Sequence, residues 1–82
     1  MLQVKVLGSG CPNCHRLEAE TRAALSDVGI PFELTKVTDF PTIASYGVMA
    51  TPALVMDEHV VSAGRIPARS KIVELARQTS AP

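Results

Sequence analysis

Leu2-Gln3-Val4-Lys5-Val6-Leu7-Gly8-Ser9-Gly10-Cys11-Pro12-Asn13-Cys14 is the stretch from which the rest of the chain is read. Its first six residues set apolar and polar side chains in near alternation with β-branched valines, the pattern of a strand. Gly8-Ser9-Gly10 breaks that strand. Pro12 then stands where the first turn of a helix tolerates a missing N–H. Downstream, Leu17, Thr21, Ala24, Leu25 and Val28 recur at helical spacing, with Glu18, Glu20 and Arg22 on the other side, until Gly29 and Pro31 stop the run. Phe32-Glu33-Leu34-Thr35-Lys36-Val37 alternates again. A strand, a helix and a second strand form a βαβ unit, so the two strands are expected to be parallel with a right-handed crossover. The cysteines fall at the N-terminus of the intervening helix.

The second half continues with a short helix expected over Pro41 to Tyr46, begun by Thr38-Asp39 and stopped by Gly47. Ala53-Leu54-Val55-Met56 and His59-Val60-Val61-Ser62-Ala63 are separated only by Asp57-Glu58 and read as an antiparallel hairpin. Asp-Glu lacks the glycine that a two-residue type I′ turn prefers, so the turn type stays open. After a loop around Gly64 and Pro67, Ile72, Val73, Leu75 and Ala76 mark the apolar face of a last helix. The order βαβαββα defines an α/β fold, expected as a single domain over 1–82 with residues 79–82 frayed.

Composition narrows the function. The 82 residues carry eight Lys plus Arg against eight Asp plus Glu, for a formal net charge of zero. This removes the electrostatic term on which non-specific nucleic-acid binding depends, and Phe32, Phe40 and Tyr46 are too few to build a stacking platform. No apolar run approaches the ~20 residues needed to cross a bilayer. Lys5 interrupts the opening apolar run and leaves no room for a secretory core, so the expected location is cytoplasmic. With no nucleic acid and no membrane, and a small neutral surface, the expected state is a monomer.

The two cysteines, Cys11 and Cys14, therefore carry the question. A Cys-x-x-Cys pair opening a helix has a definite chemistry: unpaired N–H groups and the positive end of the helix dipole favour the thiolate of the first sulfur. Cys11 is then the nucleophile. Cys14, one turn further in, is placed to attack a mixed disulfide on Cys11 and is the resolving cysteine. Gly8 and Gly10 are expected to leave room beside the sulfur for a substrate chain. Thiol–disulfide exchange is the reading that the strand-loop-helix setting favours. Three others compete. A structural zinc site needs four ligands, so His15 or His59 would have to join the pair. Cys11-Pro12-Asn13-Cys14-His15 also matches the CxxCH pattern of covalent haem attachment, which belongs to exported chains. The fourth is a pair of inert core cysteines, which the flanking Gly and Pro argue against.

Thr51-Pro52 precedes a strand. A cis bond there would present the Thr51 backbone to an extended segment, whereas a trans proline at a strand start is the commoner arrangement. Together, Cys11-Pro12-Asn13-Cys14 after a strand and Tyr46-Gly47-Val48-Met49-Ala50-Thr51-Pro52-Ala53-Leu54 resemble the thioredoxin superfamily, in particular its small archaeal and bacterial redox-active disulfide proteins. The resemblance spans nearly the whole chain. It implies a thioredoxin fold, a four-stranded mixed sheet of order 2-1-3-4 flanked by three helices, with Pro52 cis and close to Cys11. It also implies substrate contacts at Pro12, Asn13, Thr51 and Pro52. The chain departs from the pattern in two ways. Gly10 and Lys5 stand where thioredoxins have a tryptophan and a buried acid, and Ala63-Gly64-Arg65-Ile66-Pro67 lacks the Gly-Gly and acidic residues with which glutaredoxins hold glutathione. Arg65 is a candidate carboxylate partner.

The expected activity is a thiol–disulfide oxidoreductase, either a protein disulfide reductase or an electron carrier, with no cofactor beyond the Cys11/Cys14 disulfide. Its expected partners are protein disulfides and an upstream reductase, thioredoxin-reductase-like or glutathione. The alternative is a module that carries Cu(I) or Zn(II) on the same two thiolates. His15 either tunes Cys11 or faces water, the solvated reading being favoured because a protonated imidazole opposes the positive end of the helix dipole; His59 is read as a surface residue, Met49 as a packing residue with a minor contact role, and Glu18, Glu20, Arg69, Lys71, Glu74 and Arg77 as solvated helix faces.

Overall fold

Residues 1–80 are described in the computed structural model. Seven elements follow in order: β1 (Leu2–Leu7), α1 (Pro12–Asp27), β2 (Phe32–Val37), α2 (Phe40–Ser45), β3 (Ala53–Met56), β4 (His59–Ala63) and α3 (Arg69–Ser80). The strands form one mixed sheet of order β2-β1-β3-β4. β1 and β2 are parallel, as the helical crossover requires, and both other pairings are antiparallel.

Alternation along β1 assigns its side chains to the two faces of the sheet. Leu2, Val4 and Val6 point to one face, where Leu54 and Met56 join them under Leu17, Ala24 and Leu25 of α1 and Ile72 and Ala76 of α3. Leu7 points to the other, with Ala53 and Val55, against Ile43 of α2 and the half-buried Tyr46 and Val48. β3 is buried along its whole length because both faces are covered. Burying these apolar side chains is the main favourable term available to so short a chain.

The structure shifts several sequence-based boundaries. α2 begins at Phe40 and ends at Ser45, one residue earlier than expected, because the Asp39 carboxylate caps it by accepting from the Thr42 N–H at 3.1 Å. Val28, expected on the apolar face of α1, is its C-cap and is 40% exposed. α3 continues through Thr79 and Ser80, where fraying was expected; the Thr79 hydroxyl donates to the Leu75 carbonyl at 2.9 Å. Residues 81 and 82 lie outside the described residues.

The hairpin turn is resolved as well. Asp57 and Glu58 both adopt left-handed backbone, with φ of 48° and 69°, the signature of a type I′ turn made without glycine. Long-range contacts hold it there. Asp57 Oδ1 accepts from the Gln3 N–H at 2.8 Å, and the Asp57 N–H donates to the Gln3 carbonyl at 2.7 Å. Lys5 Nζ reaches Glu58 Oε1 at 2.5 Å and donates to the Tyr46 hydroxyl at 2.8 Å. Lys5 thus ties the hairpin and the end of α2 to the middle of β1.

Candidate active site

Leu7, the last residue of β1, pairs with Val37 on one side and Ala53 on the other. The Gly8 N–H adds one more bond to the Val37 carbonyl at 2.9 Å, which fixes the point where the chain leaves the sheet. Gly10 then takes φ of +88°, a conformation that favours glycine, and Cys11 follows as the extended N-cap of α1 with Pro12 in its first turn. The Cys11 carbonyl accepts from the Cys14 and His15 N–H groups at 3.0 and 3.2 Å.

This turn brings the two sulfurs to 2.8 Å, with Cys11 half-buried and Cys14 only 5% exposed. The asymmetry separates their acidities. The Cys14 side chain, followed by the Cys14 backbone N–H, holds the Cys11 thiol below its ordinary pKa. Burial pushes the Cys14 thiol up, and the adjacent Cys11 sulfur adds to that rise. The arrangement therefore favours a Cys11 thiolate that accepts a hydrogen bond from a Cys14 thiol. No side chain caps the start of α1, so its N-terminal dipole faces this sulfur uncompensated.

Gly8 proves to have a different role from the one expected. A Cβ there would overlap Cys14 Sγ and stand 3.9 Å from the Thr51 Cβ. The space beside Gly8 is thus taken by the Cys14 sulfur. The Thr51–Pro52 bond is cis. The Pro52 carbonyl accepts from the Gly64 N–H at 2.9 Å, which binds the segment before β3 to the loop after β4.

Asn13, Thr51 and Pro52 line one groove together with Arg16, Arg65 and Arg69, whereas Pro12 is exposed at the helix tip outside that lining. His15 is exposed next to Cys14. His59 pairs with Met56, which in turn faces Val4, so it stands at the end of the sheet opposite the cysteines. Neither histidine completes a metal site. Among the described residues no group of three or more His, Cys, Asp or Glu side chains is placed to hold an ion. Met49 is 99% exposed and is not the packing residue it was expected to be. Sequence reasoning also missed that Glu20 and Arg69, taken as solvated faces, join α1 to α3 at 2.5 Å beside the groove.

A family model described as "Thioredoxin domain" matches residues 2–77. The chain belongs to the thioredoxin domain family. It is 35% identical over 74 residues to a protein of Methanocaldococcus jannaschii named thioredoxin, covering 90% of this chain and 85% of that one. A thioredoxin of Methanothermobacter thermautotrophicus is 31% identical over 75 residues, covering 92% and 97%. A solved structure titled as that of a malarial protein superposes with a TM-score of 0.72 over 99% of both chains at 12% identity, a likeness of fold alone. The thioredoxin fold is thus established, with the strand order and helix count that the resemblance implied. Within that fold the position six residues before Cys11 holds Lys5, committed to Glu58 and Tyr46 on the face of the sheet covered by α2. No helix among the described residues is long and apolar enough to cross a membrane.

Proposed function

We propose that this chain is a dithiol thiol–disulfide oxidoreductase of the thioredoxin type. The observation that carries the reading is the pair itself: a half-buried Cys11 at the tip of α1, 2.8 Å from a buried Cys14, with opposite shifts in acidity. In the proposed cycle the Cys11 thiolate attacks one sulfur of a substrate disulfide. A bond forms between Cys11 and that sulfur, the substrate S–S bond breaks, and the other substrate sulfur leaves as a thiolate that takes a proton from water. Cys14 then gives its proton to solvent, making good the one taken from water in the first step, and attacks Cys11 Sγ. The Cys11–Cys14 disulfide forms, the second substrate thiolate is released, and two electrons have passed from protein to substrate.

Asn13, Thr51 and Pro52 are proposed to hold the mixed disulfide, with Pro12 shaping the exposed tip. Thr51 makes no backbone hydrogen bond among the described residues, which suits strand-like pairing with an extended segment. Two relatives named thioredoxin, and the Ala63-Gly64-Arg65-Ile66 segment where glutaredoxins carry Gly-Gly, support the thioredoxin type over the glutaredoxin type. Protein disulfides are the proposed substrates and a dithiol reductase the proposed electron donor. A reducing compartment, the cytoplasm, is the proposed place of work, since the oxidised pair must be recharged there. No bound cofactor enters the cycle, and the working unit is proposed to be a monomer.

The test is mixed-disulfide trapping. Cys14→Ser accumulates covalent complexes with a disulfide substrate such as insulin, and Cys11→Ser does not. Equal trapping by both variants refutes the assignment of roles.

A further inference from the structure

Zero net charge hides an uneven distribution. Among the described residues, Lys5, Arg22, Lys36, Arg69 and Lys71 are engaged in salt bridges. Arg16, Arg65 and Arg77 have no such partner. Two of those three, Arg16 from α1 and Arg65 from the loop after β4, line the same groove of about 470 Å3, and that groove begins at Asn13 and Thr51 beside the cysteines. Arg69 also lines it, and Glu20 is its sole carboxylate. Glu20 is bound to Arg69 at 2.5 Å and also interacts electrostatically with Arg16, so three guanidinium groups face one carboxylate and the groove keeps a net positive charge. Arg16 and Arg65 are both exposed and therefore free to turn toward a ligand.

The opposite side of Thr51 is apolar. A smaller groove of about 280 Å3 runs from Thr51 past Ala50 and Val48 to Phe40, which is 72% exposed, and Met49, which is 99% exposed. Thr51 lines both grooves. A chain laid along its unpaired backbone therefore has an apolar surface on one side and, on the other, a net positive one to which Arg16 and Arg65 contribute guanidinium groups outside any salt bridge.

Resting on the oxidoreductase reading above, we infer that the preferred substrates are protein segments whose reactive cysteine has carboxylate residues on one flank, bound by Arg16 and Arg65, and an apolar residue on the other, seated on Met49 and Phe40. Arg16 and Arg65 are the specificity-determining residues. The apolar half is what assigns the groove to a protein segment, since a small anionic thiol covers only the cationic half. Guanidinium groups suit this task because they match carboxylate geometry and keep their charge at every working pH. Each exposed pair contributes modestly, so two together give a preference of roughly 5–10-fold, weakened by salt.

The test uses three peptide disulfides identical except that the charged flank carries two Glu, two Gln or two Lys, with glutathione disulfide as a fourth substrate. Prereduced protein is compared with Arg16→Gln/Arg65→Gln and with Arg77→Gln, at low and high salt. The expected kcat/KM for the Glu peptide exceeds that for the Gln peptide by about 5–10-fold and the Lys peptide is slowest. The double variant erases the ranking, while Arg77→Gln leaves both the ranking and the Gln-peptide rate unchanged. Binding of the same peptides with Ser in place of Cys is measured in parallel and follows the same ranking. Reduction of all three peptides at one rate overturns the inference and leaves the oxidoreductase reading standing. Ranked binding without reduction of any peptide refutes the oxidoreductase reading and keeps the groove. Dependence on Arg16 and Arg65 seen only with glutathione disulfide overturns the assignment to a protein segment.

Discussion

Replacing Gly8 by alanine puts a methyl group where Cys14 Sγ now lies. An ideal Cβ on Gly8 comes nearer than 3.0 Å to that sulfur and 3.4 Å from Cys14 Cβ. The backbone of Gly8 has little freedom to yield, because its N–H is bonded to the Val37 carbonyl at 2.9 Å and Leu7 before it is paired on both sides. Cys14 must therefore retreat by at least several tenths of an ångström, which disturbs the 2.8 Å approach of the two sulfurs. Overpacking of this kind destabilises by about 1–3 kcal/mol. At roughly 4–8 °C per kcal/mol for a chain of this size, Tm falls by about 4–24 °C. Attack by Cys11 survives, since Cys11 stays at the tip of α1, but attack by Cys14 on the mixed disulfide slows by up to about 100-fold for a displacement approaching 1 Å. The assay is a single-turnover reaction of prereduced protein with a peptide disulfide, quenched with acid and resolved by mass. Gly8→Ala accumulates the mixed disulfide that the unsubstituted protein clears. Gly29→Ala is the control: its φ of +70° makes alanine strained, but no atom lies within 4 Å of the added methyl. It loses stability without slowing resolution. A Gly8→Ala protein with unchanged Tm and unchanged resolution refutes the account of Gly8.

Cys14→Ala removes the principal group that holds the Cys11 thiol down, so the pH midpoint of Cys11 alkylation by iodoacetamide moves upward; an unmoved midpoint contradicts the hydrogen-bond origin of the shift. Thr21 is fully buried with an unpartnered hydroxyl, so Thr21→Val stabilises by about 1 kcal/mol in urea unfolding, and a loss of stability shows the hydroxyl to be satisfied. Asp39, Glu20 and Glu58 are held below their ordinary carboxylate values by Thr42, Arg69 and Lys5 respectively. Their folded values lie below their unfolded ones, so their contribution is complete above the ordinary carboxylate pKa and is lost as pH falls through the folded values. Urea midpoints measured from neutral pH downward decline across that acid range, and a flat profile contradicts the three pairings.

Most of the fold was legible because its rules are local. Alternation in β1 and β2, glycine at the strand end and proline in the first helical turn identify a βαβ unit, and the Asp57-Glu58 link forces the hairpin. The sheet order follows from the resemblance and was borne out. What was not legible depends on groups distant in sequence. The left-handed turn at Asp57 and Glu58 is imposed by Gln3 and Lys5, more than fifty residues earlier. Lys5 read as a departure from the family pattern because its partners, Glu58 and Tyr46, come from elements whose packing a sequence does not reveal. Likewise Glu20 and Arg69 looked like solvated residues on separate helices until the packing of α1 on α3 joined them. The Cys11/Cys14 pair was legible from spacing and helix position, whereas the tight fit of Gly8 against Cys14 required the return of the chain from β1 into α1. Met49 misled for the same reason: its hydrophobicity indicated burial, and only the path of the chain before Thr51 leaves it outside.

The central claim is that Cys11 and Cys14 form one reversible two-electron couple. Equilibrating the protein against graded ratios of reduced and oxidised dithiothreitol, followed by acid quench, thiol alkylation and mass analysis, tests it directly. The account predicts a single transition between doubly alkylated and unalkylated protein, with roughly 30 mV per tenfold change in the ratio, and no such transition in Cys11→Ser or Cys14→Ser. Protein that stays doubly alkylated under fully oxidising ratios, or that passes through a stable singly alkylated form, contradicts it.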